Sequence, residues 1–175
     1  MKKVLITGGA GYIGSVLTEL LLLAGYSVSV VDLFDKPESS LAYGGRFKNF
    51  TAIRMDVLDQ ENLIPIIEDH DVIIPLAALV GAPLCERHKM IAEMLNFQSV
   101  EFICQAVRPD QLVIYPNTNS GYGVMDGEAE FCTETSPLNP ISIYGDTKVR
   151  AENSVIESNG IAFRLATVFG SSYRM

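Results

Sequence analysis

The sequence predicts a doubly wound α/β fold around a parallel sheet. Short apolar runs alternate with amphipathic stretches from one end of the chain to the other. The strand-like runs are apolar nearly throughout, as expected of strands buried on both faces. A glycine-rich segment separates the first run from the first helical stretch, which is where a βα unit places a tight turn.

Each element follows from its own pattern. Residues 3–7 are β-rich and stop at glycines. Residues 11–24 put Ile13, Leu17, Leu20, Leu21 and Ala24 on one helical face, with Gly25 placed as a helix stop. The next strand is residues 27–32, followed by a strand at 52–55, a helical stretch over 60–68 and a fourth strand at 72–76. A long helix is expected over 91–107, then a fifth strand at 112–115, a helix over 143–158 and a sixth strand at 161–166. No internal repeat or low-complexity linker interrupts the series.

The 175 residues fit one domain and are enough to bury a core. Hydrophobic residues at 48% and charged residues at 19% exclude a disordered chain. The net charge is −8, and no window concentrates Lys and Arg, so nucleic acid and an anionic membrane find no electrostatic footprint. A phosphorylated ligand must therefore be held by local geometry. Cys85, Cys104 and Cys132 are odd in number and far apart, with no Cys/His cluster, so neither a disulfide nor a metal site is expected. All three are expected to be reduced and mostly buried. The apolar run behind Met1-Lys2-Lys3 is too short for a signal peptide. Residues 16–31 carry Glu19 and Gly25 and fall short of a membrane span. The chain reads as cytoplasmic.

Between the first strand and first helix lies Thr7-Gly8-Gly9-Ala10-Gly11-Tyr12-Ile13-Gly14, with Gly8, Gly11 and Gly14 spaced by three. Such glycines let the backbone turn sharply and approach a pyrophosphate, whose charge meets free N–H groups at the helix start. A strand before and a helix after give the motif the right context. The second strand ends at Asp32, where an acid can accept hydrogen bonds from both ribose hydroxyls. A carboxylate there repels a 2′-phosphate, and no Arg or Lys lies in the loop, which favours NAD over NADP. Asp56, followed by Val57, either meets the adenine edge or is a loop acid or cap.

Tyr144 and Lys148 stand four residues apart, one helical turn, on the same face. A cation there is expected to lower the phenol's pKa toward working pH. Behind a dinucleotide loop, the pair points to a general base beside a hydride acceptor.

At these residues the chain resembles the extended short-chain dehydrogenase/reductase family, in particular its NAD-dependent nucleotide-sugar epimerases and dehydratases. The resemblance covers the whole chain. It rests on the glycine loop, Asp32, Asp56-Val57, Leu76-Ala77-Ala78, residues 112–123, the stretch from Pro140 to Lys148, and the run from Arg164 to Gly170. It implies a Rossmann-type sheet over residues 1–175 with NAD as cofactor. The implied cofactor contacts are Gly8, Gly11, Tyr12, Ile13, Gly14, Asp32, Asp56, Val57, Ala77, Ala78, Tyr144 and Lys148. In the family a Ser or Thr four residues before the Tyr of a Tyr-Gly pair holds the reacting sugar oxygen. Counting back from Tyr122 reaches Thr118, so Thr118, Tyr144 and Lys148 become the implied catalytic set, and Asn119 and Ser120 join Thr118 on the sugar side.

Departures from the family pattern are informative. Pro75 stands where relatives often carry a non-catalytic His, and Thr147 replaces a Ser. The 4,6-dehydratases typically place an acidic pair, or at least a Glu, where this chain has Asn119 and Ser120. Elimination of water without such an acid is hard, so an epimerase is expected, with a 4,6-dehydratase, a reductase or a non-catalytic NAD-binding module as alternatives. Relatives run well beyond Met175, so most of the substrate-binding part is expected to be absent here. The resemblance also implies a homodimer built on the helix over 91–107 and the helix carrying Tyr144. Ile91, Met94, Leu95, Phe102, Ile103 and Val107 are more apolar residues than one sheet-facing stripe needs.

Overall fold

The computed structural model describes residues 1–35, 41–124 and 131–171. Six parallel strands form one sheet: β1 (Lys3–Thr7), β2 (Ser27–Asp32), β3 (Phe50–Arg54), β4 (Val72–Pro75), β5 (Leu112–Thr118) and β6 (Ile161–Leu165). Their spatial order is β3-β2-β1-β4-β5-β6. The chain winds outward from β1 to β3, then returns to lay β4 beside β1. That reversal opens a crevice outside the C-terminal ends of β1 and β4, where open α/β sheets bind ligands.

Helices α1 (Tyr12–Leu23), α2 (Gln60–Glu68), α3 (Ala82–Arg87), α4 (Lys89–Ala92), α5 (Ser99–Ala106) and α6 (Ile143–Glu157) complete the described elements, with short 3-10 turns at Ala42–Arg46 and Asn119–Gly121. Leu5, Val31, Leu63, Ile67, Ile73 and Ile103 form one core cluster; Val4, Ile6, Leu22, Val28 and Val30 belong to another. The central strands are buried on both faces, as expected. At one edge of the sheet, β3 leaves Thr51, Ala52 and Arg54 exposed, since among the described residues no further strand pairs with it.

Several boundaries differ from the sequence expectation. The buried face of α1 is Gly14, Ser15, Thr18 and Leu22, while Leu20 is 58% exposed. Small residues face the sheet because the helix lies so close to the glycine loop: an added Cβ at Gly14 would come 2.6 Å from Gly9 Cα. The helix expected over 91–107 belongs to a longer run that starts at Ala82 and contains a π-helical stretch at Glu93–Gln98. Its first part escapes the pattern because Glu86, Arg87, His88 and Lys89 break the apolar periodicity. β5 continues three residues past Tyr115. Its pairing with β4 stops at Val113, and from Ile114 it pairs with β6. Pro116 is thus tolerated on a strand whose other side has no ladder left to complete. Pro75 sits similarly: Leu76 N donates to Thr7 O, which puts position 75 on the β5 side, beyond the last β4–β5 pair.

Candidate functional site

The crevice is a cleft of about 580 Å³ lined by the glycine loop, the ends of β2 and β3, and residues 76–80. Gly8, Gly11, Tyr12, Ile13, Gly14, Asp32, Asp56, Val57, Ala77 and Ala78 all line it. Gly8 closes the gap between the two strands at the reversal. Its φ is +71°, and a Cβ there would lie 2.5 Å from Ala77 N. Only a glycine lets the β1 turn pass this close to the segment after β4, and that approach shapes the floor of the cleft. Asp32 accepts hydrogen bonds from Ala10 N at 3.0 Å and Phe34 N at 3.1 Å. Its carboxylate therefore braces the loop as well as facing the cleft. Asp56 lines the cleft and also accepts from Leu58 N at 2.9 Å, as a loop acid does. A cradle of backbone N–H groups with a bracing acid fits a dinucleotide.

Thr118, Asn119, Ser120, Tyr144 and Lys148 lie outside that lining, at the end of β5 and the start of α6. Thr118 closes β5 and caps the following turn. Its hydroxyl accepts from Ser120 N at 3.2 Å and donates to Ser120 Oγ at 3.1 Å. Ser142 caps α6 by accepting from Gly145 N at 3.1 Å. The helix then presses on the turn: a Cβ at Gly145 would sit 2.8 Å from Ser120 O. Thr118 acts on the Tyr144 phenol from this turn, favouring its ionised form. Asn119 is exposed and Ser120 half-buried. Thr147 turns its hydroxyl to Ile143 O and Tyr144 O, so it serves the helix backbone.

The two regions meet through the segment after β4. Asn96, buried in the π-helical stretch, accepts from Leu79 N at 2.8 Å and donates to Leu79 O at 2.9 Å. Cys85 Sγ donates to the same carbonyl at 3.2 Å and raises the Tyr144 pKa electrostatically. Leu79 lines the cleft, so its wall is tied to the neighbourhood of Tyr144. From sequence, Asn96 carries no signal and Cys85 reads only as a buried thiol, because a lone Asn or Cys in a helix does not point to a partner.

The electrostatics reverse one expectation. Tyr144 is shifted above its ordinary range, first by burial, with the Thr118 hydroxyl opposing. Lys148 is not among the groups that act on it; that residue is only 6% exposed, with its ammonium 4.1 Å from the centroid of the Tyr115 ring. Burial pulls the Lys148 pKa from 10.5 down to about 7, against the pull of Glu152. Between those two midpoints the unfolded chain holds a proton that the folded chain has shed, so stability rises with pH across this window. The urea midpoint should therefore gain from Lys148 between pH 7 and pH 9, and Lys148→Met should remove that part of the rise. An identical rise in both proteins would refute the assignment.

Cys85 is buried and Cys104 partly so, in line with mostly buried thiols, whereas Cys132 is exposed and departs from that expectation. The exposure of Cys132 follows from its place in residues 131–135, all of which are exposed. Burial lifts the Cys104 thiol to about 11. Among the described residues, no three His, Cys, Asp or Glu side chains group as metal ligands, and no helix is long and apolar enough to cross a membrane.

Fold and site together define a dinucleotide-binding α/β protein that carries a Thr/Tyr/Lys set beside its cleft. The family model for the NAD dependent epimerase/dehydratase family matches residues 4–174, and the chain belongs to that family. It is 34% identical, over 70% of its length, to a UDP-N-acetyl-alpha-D-glucosaminuronate decarboxylase of Bacillus cytotoxicus, covering 38% of that protein. It is 33% identical, over 98% of its length, to an uncharacterized UDP-glucose epimerase of Bacillus subtilis, covering 58% of it. Among solved structures, a UDP-glucuronic acid 4-epimerase from Bacillus cereus in complex with NAD superposes with a TM-score of 0.81 at 28% identity, over 96% of this chain and 57% of that one. The chain thus spans roughly two to three fifths of the length of these relatives.

Proposed function

We propose that residues 1–175 form the NAD-binding domain of a nucleotide-sugar epimerase that works through a transient keto sugar. The observation that carries this is the packing of α6 on the turn after β5, at Gly145 against the Ser120 carbonyl, which sets Tyr144 and Lys148 beside Thr118–Ser120, next to the cleft at the strand reversal. NAD, when bound, supplies reversible hydride transfer. Gly8, Gly11 and Gly14 admit its pyrophosphate, Asp32 accepts from its ribose, and Asp56, Val57, Ala77 and Ala78 line the remainder. Tyr144 as phenolate takes the proton of a sugar hydroxyl, at C4 in this reading, and later returns it. Thr118 donates to the reacting oxygen, and Asn119 and Ser120 face the sugar. Lys148 keeps its cation beside the nicotinamide end of the site.

The decarboxylase relative favours a second reading. Oxidation at C4 of a sugar with a C6 carboxylate gives a β-keto acid, which loses carbon dioxide readily, and the first proton transfer would again use Tyr144. Mass spectrometry of products from a panel of nucleotide sugars separates the outcomes. Unchanged mass with inverted stereochemistry supports the epimerase. Loss of carbon dioxide identifies a decarboxylase, and loss of water a dehydratase. No turnover of any sugar would leave an NAD-binding module.

Asp32 should make NAD bind much more tightly than NADP, since its carboxylate repels a 2′-phosphate. Asp32→Ala should narrow the difference and also weaken NAD, because the Ala10 and Phe34 N–H groups lose their acceptor. Calorimetric titration with both cofactors checks this; equal affinities for the unsubstituted protein would refute it.

The homodimer is part of the same proposal. Met90, Ile91 and Met94 are exposed along one side of the helical run, while Ile103 is fully buried and Leu95, Phe102 and Val107 pack on the core. The exposed three lie at i, i+1 and i+4, suited to a second helix. Light scattering at tens of micromolar should show a dimer; monomer alone would count against it.

A further inference from the structure

We propose that Glu152, clamped by Arg164 and Asn117, is a positioning residue that acts on the Lys148 ammonium across the α6 face they share, without a direct ion pair, and keeps it against the Tyr115 ring. This rests on the proposed role of Lys148 and extends it to groups with no assigned part in the chemistry. Tyr144, Lys148 and Glu152 follow one another at successive turns of α6, on one face. Glu152 is 5% exposed. Arg164 of β6 donates to Glu152 Oε1 from Nε at 2.9 Å and from Nη2 at 2.6 Å, and the Asn117 amide of β5 donates to Oε2. The carboxylate is thus fixed from two strands, while Lys148 has only the ring face of Tyr115 as a described partner.

The arrangement answers a physical difficulty. A buried ammonium is driven to release its proton, and burial does so here; Glu152 is the one charged group found to oppose it. Arg164 needs its own tethers, and its Nη1 donates to Tyr122 Oη at 3.1 Å and Glu134 O at 3.0 Å. The other titratable groups at this corner are Tyr144 on α6, Tyr115 on β5, Cys104 on α5, which acts on Tyr115, and Cys85 on α3, which acts on Tyr144. Arg150 pairs with both Glu93 and Asp146, and Lys89 pairs with Glu86. An Arg–Glu pair this well buried is weak evidence for stability, but it makes a rigid seat for a charge.

The test follows the titration of Lys148 by NMR of 13Cε-labelled lysine without cofactor, with the signal assigned by Lys148→Arg. Glu152→Gln should move the Lys148 midpoint to lower pH by on the order of one pH unit, and Glu152→Asp should restore most of it. Should Glu152→Gln alone fail to fold with Arg164 left unpaired, Arg164→Gln removes the cation that offsets the Glu152 charge and should move the Lys148 midpoint to higher pH. A lower melting temperature with an unmoved Lys148 midpoint, in either variant, would make Glu152 merely structural and overturn the proposal. Because no sugar enters this experiment, a shifted midpoint beside a protein that turns over no nucleotide sugar would retain the Glu152–Lys148 coupling and reject the epimerase reading.

Discussion

Tyr144→Phe is expected to lower nucleotide-sugar turnover of the full-length enzyme by about 10²–10⁴-fold, the usual loss for a general base, while NAD binding and the melting temperature change little. The ring stays where it is, because α6 is capped by Ser142 and seated against Ser120 by Gly145. Only the hydroxyl, on which Thr118 acts, is lost. Since burial holds the phenol above its ordinary range, a base at this position depends on what shares the site with it. Turnover in the unsubstituted protein should therefore climb with pH as the phenolate forms, and the variant should have lost that limb. Turnover near that of the unsubstituted protein in Tyr144→Phe would remove Tyr144 from the reaction. A fall in turnover matched by a fall in NAD affinity would point to damage in the cleft.

Gly8→Ala is expected to cost about 2–5 kcal/mol of stability, the sum of left-handed backbone strain and overpacking, and to abolish measurable NAD binding. The new methyl would meet backbone atoms of Leu76 and Ala77, which cannot turn aside as a flexible side chain would. Against a total stability of about 5–15 kcal/mol this is a large share. Gly25 supplies the control. Its φ is also positive, at +86°, but an added Cβ meets nothing within 4 Å. Gly25→Ala should lose only the backbone part, about 1–2 kcal/mol, and bind NAD normally. Chemical denaturation and calorimetric titration of both variants check the pair. Equal losses would show that the approach of β1 to the segment after β4 does not set the cost.

Much of the cofactor half was legible because it is local. A strand, a glycine turn and a helix follow one another within residues 3–23, and each announces itself by short-range pattern. Asp32 ends the second strand of the same unit. Tyr144 and Lys148 share a helix face, so their spacing alone places them together. The sequence by itself thus determined the α/β class, the order of strands and helices along the chain and the glycine turn, and it offered Tyr144 and Lys148 as candidates. It also suggested the family that the comparisons show.

Tertiary structure decided what depends on distant segments. The cradle at Gly8 exists because β4, reached only after residue 71, returns beside β1. The tie between Asn96, Cys85 and Leu79 needs a π-helical stretch that no periodicity reveals. Glu152 at one turn past Lys148 was visible in the spacing, but its clamp by Asn117 and Arg164 forms only when β5 and β6 pair in register. Protonation lay furthest from the sequence. Spacing places a cation one turn from a phenol and suggests a lowered pKa, but the sign is set by burial. Desolvation acts on Tyr144 and Lys148 alike, raising one and lowering the other, and burial is a property of the packed fold.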